Sequence, residues 1–150
     1  MYSIYQEQFI AEDIETVWHF FSNPNNLQII TPEELNFIVL TKQVNVATIT
    51  DGMLIDYTIT PFSKIKFYWQ TEIEKVIYPS EFIDTQKKGP YKRWHHQHLF
   101  YPKDNGVLMI DKVEYALPFS PISNLFHFVV RKKLERIFAF RKAKIEEIFS

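Results

Sequence analysis

Residues 65–73 read IKFYWQTEI, and their pattern decides the fold class. Every second position is taken by a residue suited to burial, and the positions between are mostly polar or charged: Ile65, Phe67, Trp69, Thr71 and Ile73 alternate with Lys66, Tyr68, Gln70 and Glu72. Successive side chains of a β-strand point to opposite faces of its sheet. The segment is therefore predicted to be a strand with one buried and one wet face, as in an antiparallel sheet.

The same period of two extends over residues 35–117, and turn signals interrupt it at fairly regular intervals. These signals are Asp51-Gly52, residues 61–64, Pro79, Gly89-Pro90 and Asp104-Asn105-Gly106. Turn residues between alternating segments are typical of antiparallel strands. With residues 2–10, which alternate loosely, the pattern predicts six or seven strands.

Helical patterns flank this β region on both sides. Asp13 can cap a short helix, and Asn23 before Pro24 predicts a second one that ends at about Gln28. After Pro121 the apolar residues recur at helical spacing without any Gly or Pro, which predicts one long C-terminal helix. Strands followed by a terminal helix form an α+β layer, and a curved sheet around that helix leaves space for a ligand cavity.

Composition narrows the class of function. The 150 residues predict one domain spanning 1–150, and 17 basic against 18 acidic residues give a formal net charge of -1, which gives no support to nucleic-acid binding. The absence of cysteine excludes disulfides, thiolate nucleophiles and Cys-based metal sites. The N-terminal residues lack a signal-peptide pattern and no apolar run approaches the ~20 residues of a membrane span, so a cytoplasmic protein is expected.

Three groups of residues carry a resemblance that covers nearly the whole chain. They are Val17-Trp18, Phe20-Phe21 and Asn23-Pro24-Asn25-Asn26-Leu27; Phe82-Ile83-Asp84-Thr85-Gln86 running into Lys88-Gly89-Pro90-Tyr91 and then Trp94, His96, His98 and Phe100; and Leu117-Pro118-Phe119-Ser120-Pro121 followed by residues 130–141, VRKKLERIFAFR. In these motifs the chain resembles an uncharacterised bacterial branch of the START-like superfamily, also called SRPBCC or the polyketide cyclase/dehydrase and lipid-transport group.

The resemblance implies a helix-grip fold, in which about seven antiparallel strands grip the C-terminal helix around a deep, mostly apolar cavity. Functions in the superfamily range from lipid and hormone binding to aromatic cyclisation, so the fold leaves three functions open. The first is binding of a hydrophobic or aromatic small molecule or lipid. The others are a cyclase- or dehydratase-like reaction, and an accessory role for a neighbouring epimerase-like enzyme. No cofactor and no metal are expected, and no oligomeric state is specified.

The stretch KGPYKRWHHQHLF at residues 88–100 holds three of the five histidines. Strand alternation places Trp94, His96, His98 and Phe100 on one face and His95 on the other. A three-residue turn centred on Gly89 would pair Asp84 with Trp94 and Gln86 with Lys92, which puts these acidic and amide groups on the same inner face. Asp111 could approach the histidines from the following strand.

Four interpretations of this polar set stay open: a patch that fixes strand register, a site for the polar end of a ligand, a metal site, or acid–base catalysis by His96 or His98. The candidate ligand-binding residues are Tyr57, Phe67, Trp69, Phe82, Asp84, Gln86, Trp94, His96, His98, Phe100, Asp111, Val130 and Ile137.

The C-terminal helix also carries a run of basic residues: Arg131, Lys132, Lys133, Arg136, Arg141, Lys142 and Lys144. The simplest interpretation is a solvated helix face. A patch that contacts a membrane is the alternative, and it would suit a lipid carrier.

Overall fold

The computed structural model describes residues 1–41, 49–62 and 64–150. Within them, seven antiparallel strands form one sheet: β1 Tyr2–Ile10, β2 Ile38–Val39, β3 Leu54–Phe62, β4 Ile65–Ile77, β5 Glu81–Lys88, β6 Arg93–Lys103 and β7 Gly106–Ala116. Their order across the sheet is β1-β7-β6-β5-β4-β3-β2. Neighbours along the chain pair directly from β2 to β7, and β1 closes against β7, so the α+β prediction of about seven antiparallel strands is confirmed.

Two α-helices accompany the sheet, α1 Ile14–Phe21 and α2 His127–Ile148. Three 3₁₀ segments lie at Pro24–Gln28, Glu33–Leu35 and Ile122–Phe126. Both predicted caps are confirmed, since the Asp13 carboxylate accepts from the Thr16 amide at 2.7 Å and the Asn23 side chain accepts from the Asn25 amide at 3.0 Å. The long C-terminal helix is confirmed as well, with its first turn preceded by the 3₁₀ segment.

The predicted pairing of β5 with β6 is wrong by two residues. Asp84 lies opposite His96, not opposite Trp94. The connection is longer than three residues because the side chain of Gln86 replaces a ladder pair: its amide nitrogen donates to the Tyr91 carbonyl at 2.6 Å, and its oxygen accepts from the Tyr91 amide at 3.0 Å. A shift of two keeps every side chain on the same face, so Asp84 and His96 still share the inner face.

The period of two begins at residue 35, but of residues 35–40 only Ile38–Val39 form a strand. Leu35 ends a 3₁₀ turn, and Asn36 follows in the left-handed region with φ 46°, a conformation that asparagine tolerates better than most residues. Leu35 and Phe37 are nevertheless buried. Ser63, in the turn predicted at residues 61–64, lies outside the described residues.

Two hydrophobic clusters hold α2 against the sheet. The first includes Trp18 of α1 with Phe100, Met109 and Ile145. The second includes Val113, Tyr115, Leu134 and Phe138. Buried polar residues lie between the two clusters: His96 and His98 on β6, Asp111 on β7 and Arg141 on α2. We call these residues, with Asp84 of β5, the polar layer.

Candidate functional site

A cavity of about 730 Å³ lies between the inner face of the sheet and α2. That volume is within the range of sites that enclose a drug-sized ligand. Its wall is mostly apolar and includes aromatic side chains from β3, β4, β6 and α2, among them Tyr57, Trp69, Trp94 and Phe138. Its polar lining includes part of the layer described above, namely Asp84, His96, His98 and Arg141, together with Asn23, Asn26, Thr31, Thr71, Ser123 and Lys133.

Two aspartates and two histidines form the centre of that layer. His98 Nε2 donates to Asp84 Oδ2 at 2.5 Å, and His96 Nε2 donates to Asp111 Oδ1 at 2.8 Å. The remaining ring nitrogens face the opposite carboxylates at longer range, with His96 Nδ1 3.8 Å from Asp84 Oδ2 and His98 Nδ1 3.5 Å from Asp111 Oδ1. Each carboxylate therefore contacts both rings, from opposite sides.

The two imidazole rings are stacked on each other. Their centroids are 3.7 Å apart with an interplanar angle of 24°, and Phe82 stacks on the far side of His98 with centroids 4.0 Å apart. Alternation along β6 puts residues 96 and 98 on one face, about 6.5 Å apart along the strand, and their side chains lean toward each other until the rings stack. Both Nε2 atoms are held by carboxylates, whereas the two Nδ1 atoms make no hydrogen bond to them.

Arg141 extends the layer from α2. Its Nη2 lies 3.7 Å from Asp111 Oδ1, and its guanidinium carbon lies 5.9 Å from the ring centroids of Phe21 and Phe138. Sequence reasoning had placed Arg141 on a solvated helix face, and that interpretation is wrong for this residue, which is buried. The signal was available in its spacing, because Leu134, Phe138, Arg141 and Ile145 follow one another at intervals of three or four residues.

Charge within the layer follows from burial and hydrogen bonding. Burial by itself raises the pKa of Asp84, but the hydrogen bond from His98 and the nearby positive charges outweigh it and hold this pKa below its ordinary value. Burial also raises the pKa of Asp111, and the opposing guanidinium of Arg141, with the hydrogen bond from His96, brings it well below the ordinary value. Both groups are carboxylates at neutral pH.

The surroundings of His98 favour its neutral form, whereas those of the two aspartates favour the charged form. Burial and the neighbouring ring of His96 lower the pKa of His98 to about 4, although Asp84 and Asp111 act against this shift. At neutral pH His98 is therefore a neutral imidazole whose single proton lies on Nε2, toward Asp84. Its Nδ1 has no hydrogen-bond partner among the described residues.

The structure places ten of the thirteen candidate ligand-binding residues on the cavity wall, namely Tyr57, Phe67, Trp69, Phe82, Asp84, Trp94, His96, His98, Val130 and Ile137. The other three lie off the wall. Phe100 is fully buried and packs against Trp18 and Phe21, Gln86 closes the β5–β6 connection, and Asp111 is buried behind the histidines.

Asp84, His96 and His98 are also the group that could hold a metal ion, since each offers a ligand atom within 4.8 Å of the others. Their arrangement fits this role poorly. The lone pairs of stacked rings run side by side, whereas ligands of one ion must converge on it. One ring would have to turn out of the stack before both could bind the same ion.

No protein-family model matches the sequence, and no curated protein matches it either. Solved structures match it in fold. Protein TTHA0849 from Thermus thermophilus has a TM-score of 0.71 at 15% identity, over 99% of this chain and 100% of that one. Major latex-like protein 151 from Panax ginseng has a TM-score of 0.65 at 12% identity, over 99% and 97% of the two chains.

A third similar structure is much longer than this chain. The nucleoside-diphosphate sugar epimerase from Corynebacterium glutamicum has a TM-score of 0.64 at 20% identity, and the match covers 96% of this chain but 28% of the epimerase. At these identities the similarities concern the fold alone. They confirm the predicted helix-grip fold. In the described part of the chain, no helix is long and apolar enough to cross a membrane.

Proposed function

We propose that the protein is a one-domain binding protein that encloses a hydrophobic small molecule between its sheet and α2. One observation carries the proposal: a cavity of about 730 Å³ has a mostly apolar wall that includes a buried polar layer. Apolar walls supply affinity for a ligand body, and a few fixed polar groups orient its polar end. Asp84 and Arg141 are the charged groups of the layer that reach the wall, so the polar end of the ligand would lie beside them.

Binding is favoured over acid–base catalysis by the histidines. A general base needs a ring nitrogen within hydrogen-bond reach of the substrate proton. In this layer the Nε2 atoms of His96 and His98 donate to Asp111 and Asp84, so neither Nε2 is free to accept a substrate proton. The stacked rings would therefore serve as a rigid, polarisable part of the wall.

Native mass spectrometry of the protein purified from its own cells tests this proposal, supported by binding of the neutral fluorescent probe N-phenyl-1-naphthylamine. Val130→Trp should fill the cavity and abolish both the bound mass and the probe signal, because Val130 lies on the wall. Val129→Trp is the matched control, because the side chain of Val129 points away from the wall and is exposed. A wild-type protein that carries no adduct and binds no probe would contradict the proposal.

A second candidate is an accessory domain for an epimerase-like enzyme. It is favoured by the similarity to 28% of the sugar epimerase from Corynebacterium glutamicum, where the matching fold is joined to further chain. The decisive measurement is co-purification of the tagged protein from its own cells. Recovery of a stoichiometric epimerase-like enzyme would support this candidate, and recovery of the protein alone with a bound small molecule would favour the carrier.

A further inference from the structure

The cavity reaches the surface at one end of the molecule. Phe119 and Phe126 line it, although they are 84% and 60% exposed. Three connections meet at that end: the β3–β4 hairpin, the β5–β6 loop, and the chain between β7 and α2. Strand register places them together, because Gln70 pairs with Lys88 and Arg93 pairs with Ala116. We call residues 61–62, 64–71, 86–94 and 117–134 the mouth rim.

Large apolar side chains project from the mouth rim into water. Besides the two phenylalanines of the wall, Ile122, Leu125 and Phe128 are 67%, 73% and 68% exposed, and none of these three lines the cavity. Such a concentration of exposed apolar groups marks an interaction surface. Phe119 has φ 61°, an uncommon conformation for a bulky residue.

Charge on the mouth rim has one sign. Its segments carry nine Lys and Arg residues and no Asp or Glu. The rest of the chain carries the other eight basic residues and all eighteen acidic ones. Seven of the nine are exposed: Lys64, Lys66, Lys87, Lys88, Lys92, Arg93 and Lys132. Carboxylates that border the rim offset part of this charge. Glu72 and Glu135 pair with its Lys87 and Arg131, and Glu33 and Glu34 lie at the same end, with Glu34 bonded to Arg136. The basic residues still outnumber these four carboxylates, so a protein with a net charge of -1 has a positive end around the cavity mouth.

We propose that the mouth rim docks on a lipid bilayer that contains anionic lipids, with the cavity opening toward the acyl chains. Exposed aromatic and aliphatic side chains surrounded by lysine and arginine form the combination that binds the interface of such bilayers. A second copy of the chain is disfavoured as the occupant, since two rims of the same strong positive charge repel each other. Docking would give an apolar ligand a path into the cavity that avoids water.

Co-sedimentation with unilamellar vesicles tests this proposal. The protein should bind vesicles of phosphatidylcholine with phosphatidylglycerol and bind phosphatidylcholine alone far more weakly, with binding that falls as salt is raised. Leu125→Ser with Phe128→Ser should lower the partition coefficient about tenfold or more, because two apolar anchors are lost. Lys92→Gln with Arg93→Gln should lower it about fivefold per charge. These four residues lie off the cavity wall.

The matched control is Ile77→Ser with Tyr101→Ser, which removes two half-exposed apolar side chains at the opposite end of the sheet and should leave vesicle binding unchanged. All variants are first shown to have the wild-type circular dichroism spectrum. The proposal is overturned by binding to neither vesicle, by equal binding to both, or by an equal loss in the control pair. A wild-type dimer in light scattering that Leu125→Ser with Phe128→Ser dissociates would also overturn it. Because no cavity ligand enters this assay, its failure would leave the proposed ligand binding intact.

Discussion

Replacement of Arg141 by methionine tests whether charge holds the polar layer together. Arg141 Nη2 lies 3.7 Å from Asp111 Oδ1, and the two side chains are 8% and 1% exposed. At an effective dielectric constant of about 20, unit charges at this separation attract by about 4 kcal/mol. Methionine keeps much of the stem that packs between Phe21 and Phe138. The main cost is therefore the uncompensated Asp111 carboxylate, and we expect a loss of about 3–5 kcal/mol in unfolding free energy at neutral pH.

The assay is urea unfolding followed by tryptophan fluorescence at several pH values. Arg141 lowers the pKa of Asp111, so its removal lets that pKa rise. Below the raised pKa, Asp111 of the folded variant is a neutral carboxylic acid. Loss of the guanidinium then no longer leaves an unpaired buried charge. The difference between wild type and Arg141→Met should therefore be largest at neutral pH and shrink as the pH falls.

Arg136→Met is the matched control, because it makes the same substitution on the same helix at an exposed ion pair with Glu34 and should change stability little. A double-mutant cycle with Asp111→Leu isolates the coupling, since removal of both charges should recover much of the loss. Equal losses in Arg141→Met and Arg136→Met, or no coupling in the cycle, would refute the reasoning.

Three further substitutions test the polar layer and the cavity wall. The pKa of His98 is 6.5 in the unfolded chain and about 4 in the folded protein, so the unfolding free energy of the wild type should decrease by up to about 3 kcal/mol as the pH falls across that window. His98→Gln should flatten this part of the profile of urea midpoint against pH. An unchanged slope would contradict the assignment. Phe100→Ala truncates the core and should lower the unfolding free energy by about 3–5 kcal/mol. Phe67→Ala truncates the cavity wall and should lower the unfolding free energy by about 1–2 kcal/mol and weaken probe binding. A larger loss of stability for Phe67→Ala than for Phe100→Ala would contradict their placement.

The architecture could be predicted because period-two alternation and turn residues are local signals. The face of each strand was also predictable, and it survived an error of two residues in the β5–β6 register, since such a shift preserves alternation. The register itself was not predictable from Gly89-Pro90, because the side chain of Gln86 reaches across to the backbone of Tyr91 and extends the connection. A side-chain bond of this kind has no signature in turn residues.

The candidate site was only half predictable for a related reason. Asp84, His96 and His98 are polar residues on strands of clear alternation, so their shared face follows from sequence. Arg141 belongs to a helix whose neighbouring positions carry several exposed cations, and charge suggested solvent for all of them. Its place in the layer depends on the position of α2 along its own axis relative to the sheet. Phe138 and Ile145, which pack in the two separate clusters, set that position.

The two aspartates of the layer should have separable roles, which follow from their depth. The Asp84 side chain is 16% exposed and lies on the cavity wall, whereas that of Asp111 is 1% exposed and bonds His96 from behind, beside Arg141. Asp84→Asn keeps an acceptor for His98 but removes the charge that a ligand would meet. The polar group of N-phenyl-1-naphthylamine is an N–H donor, so affinity for this probe should fall about tenfold, with little loss of stability. Asp111→Asn leaves Arg141 without its carboxylate and should lower the urea midpoint while the remaining folded protein binds the probe as before. If both substitutions change affinity and stability in the same proportion, the layer acts as one unit and the division between a supporting and a ligand-facing carboxylate is wrong.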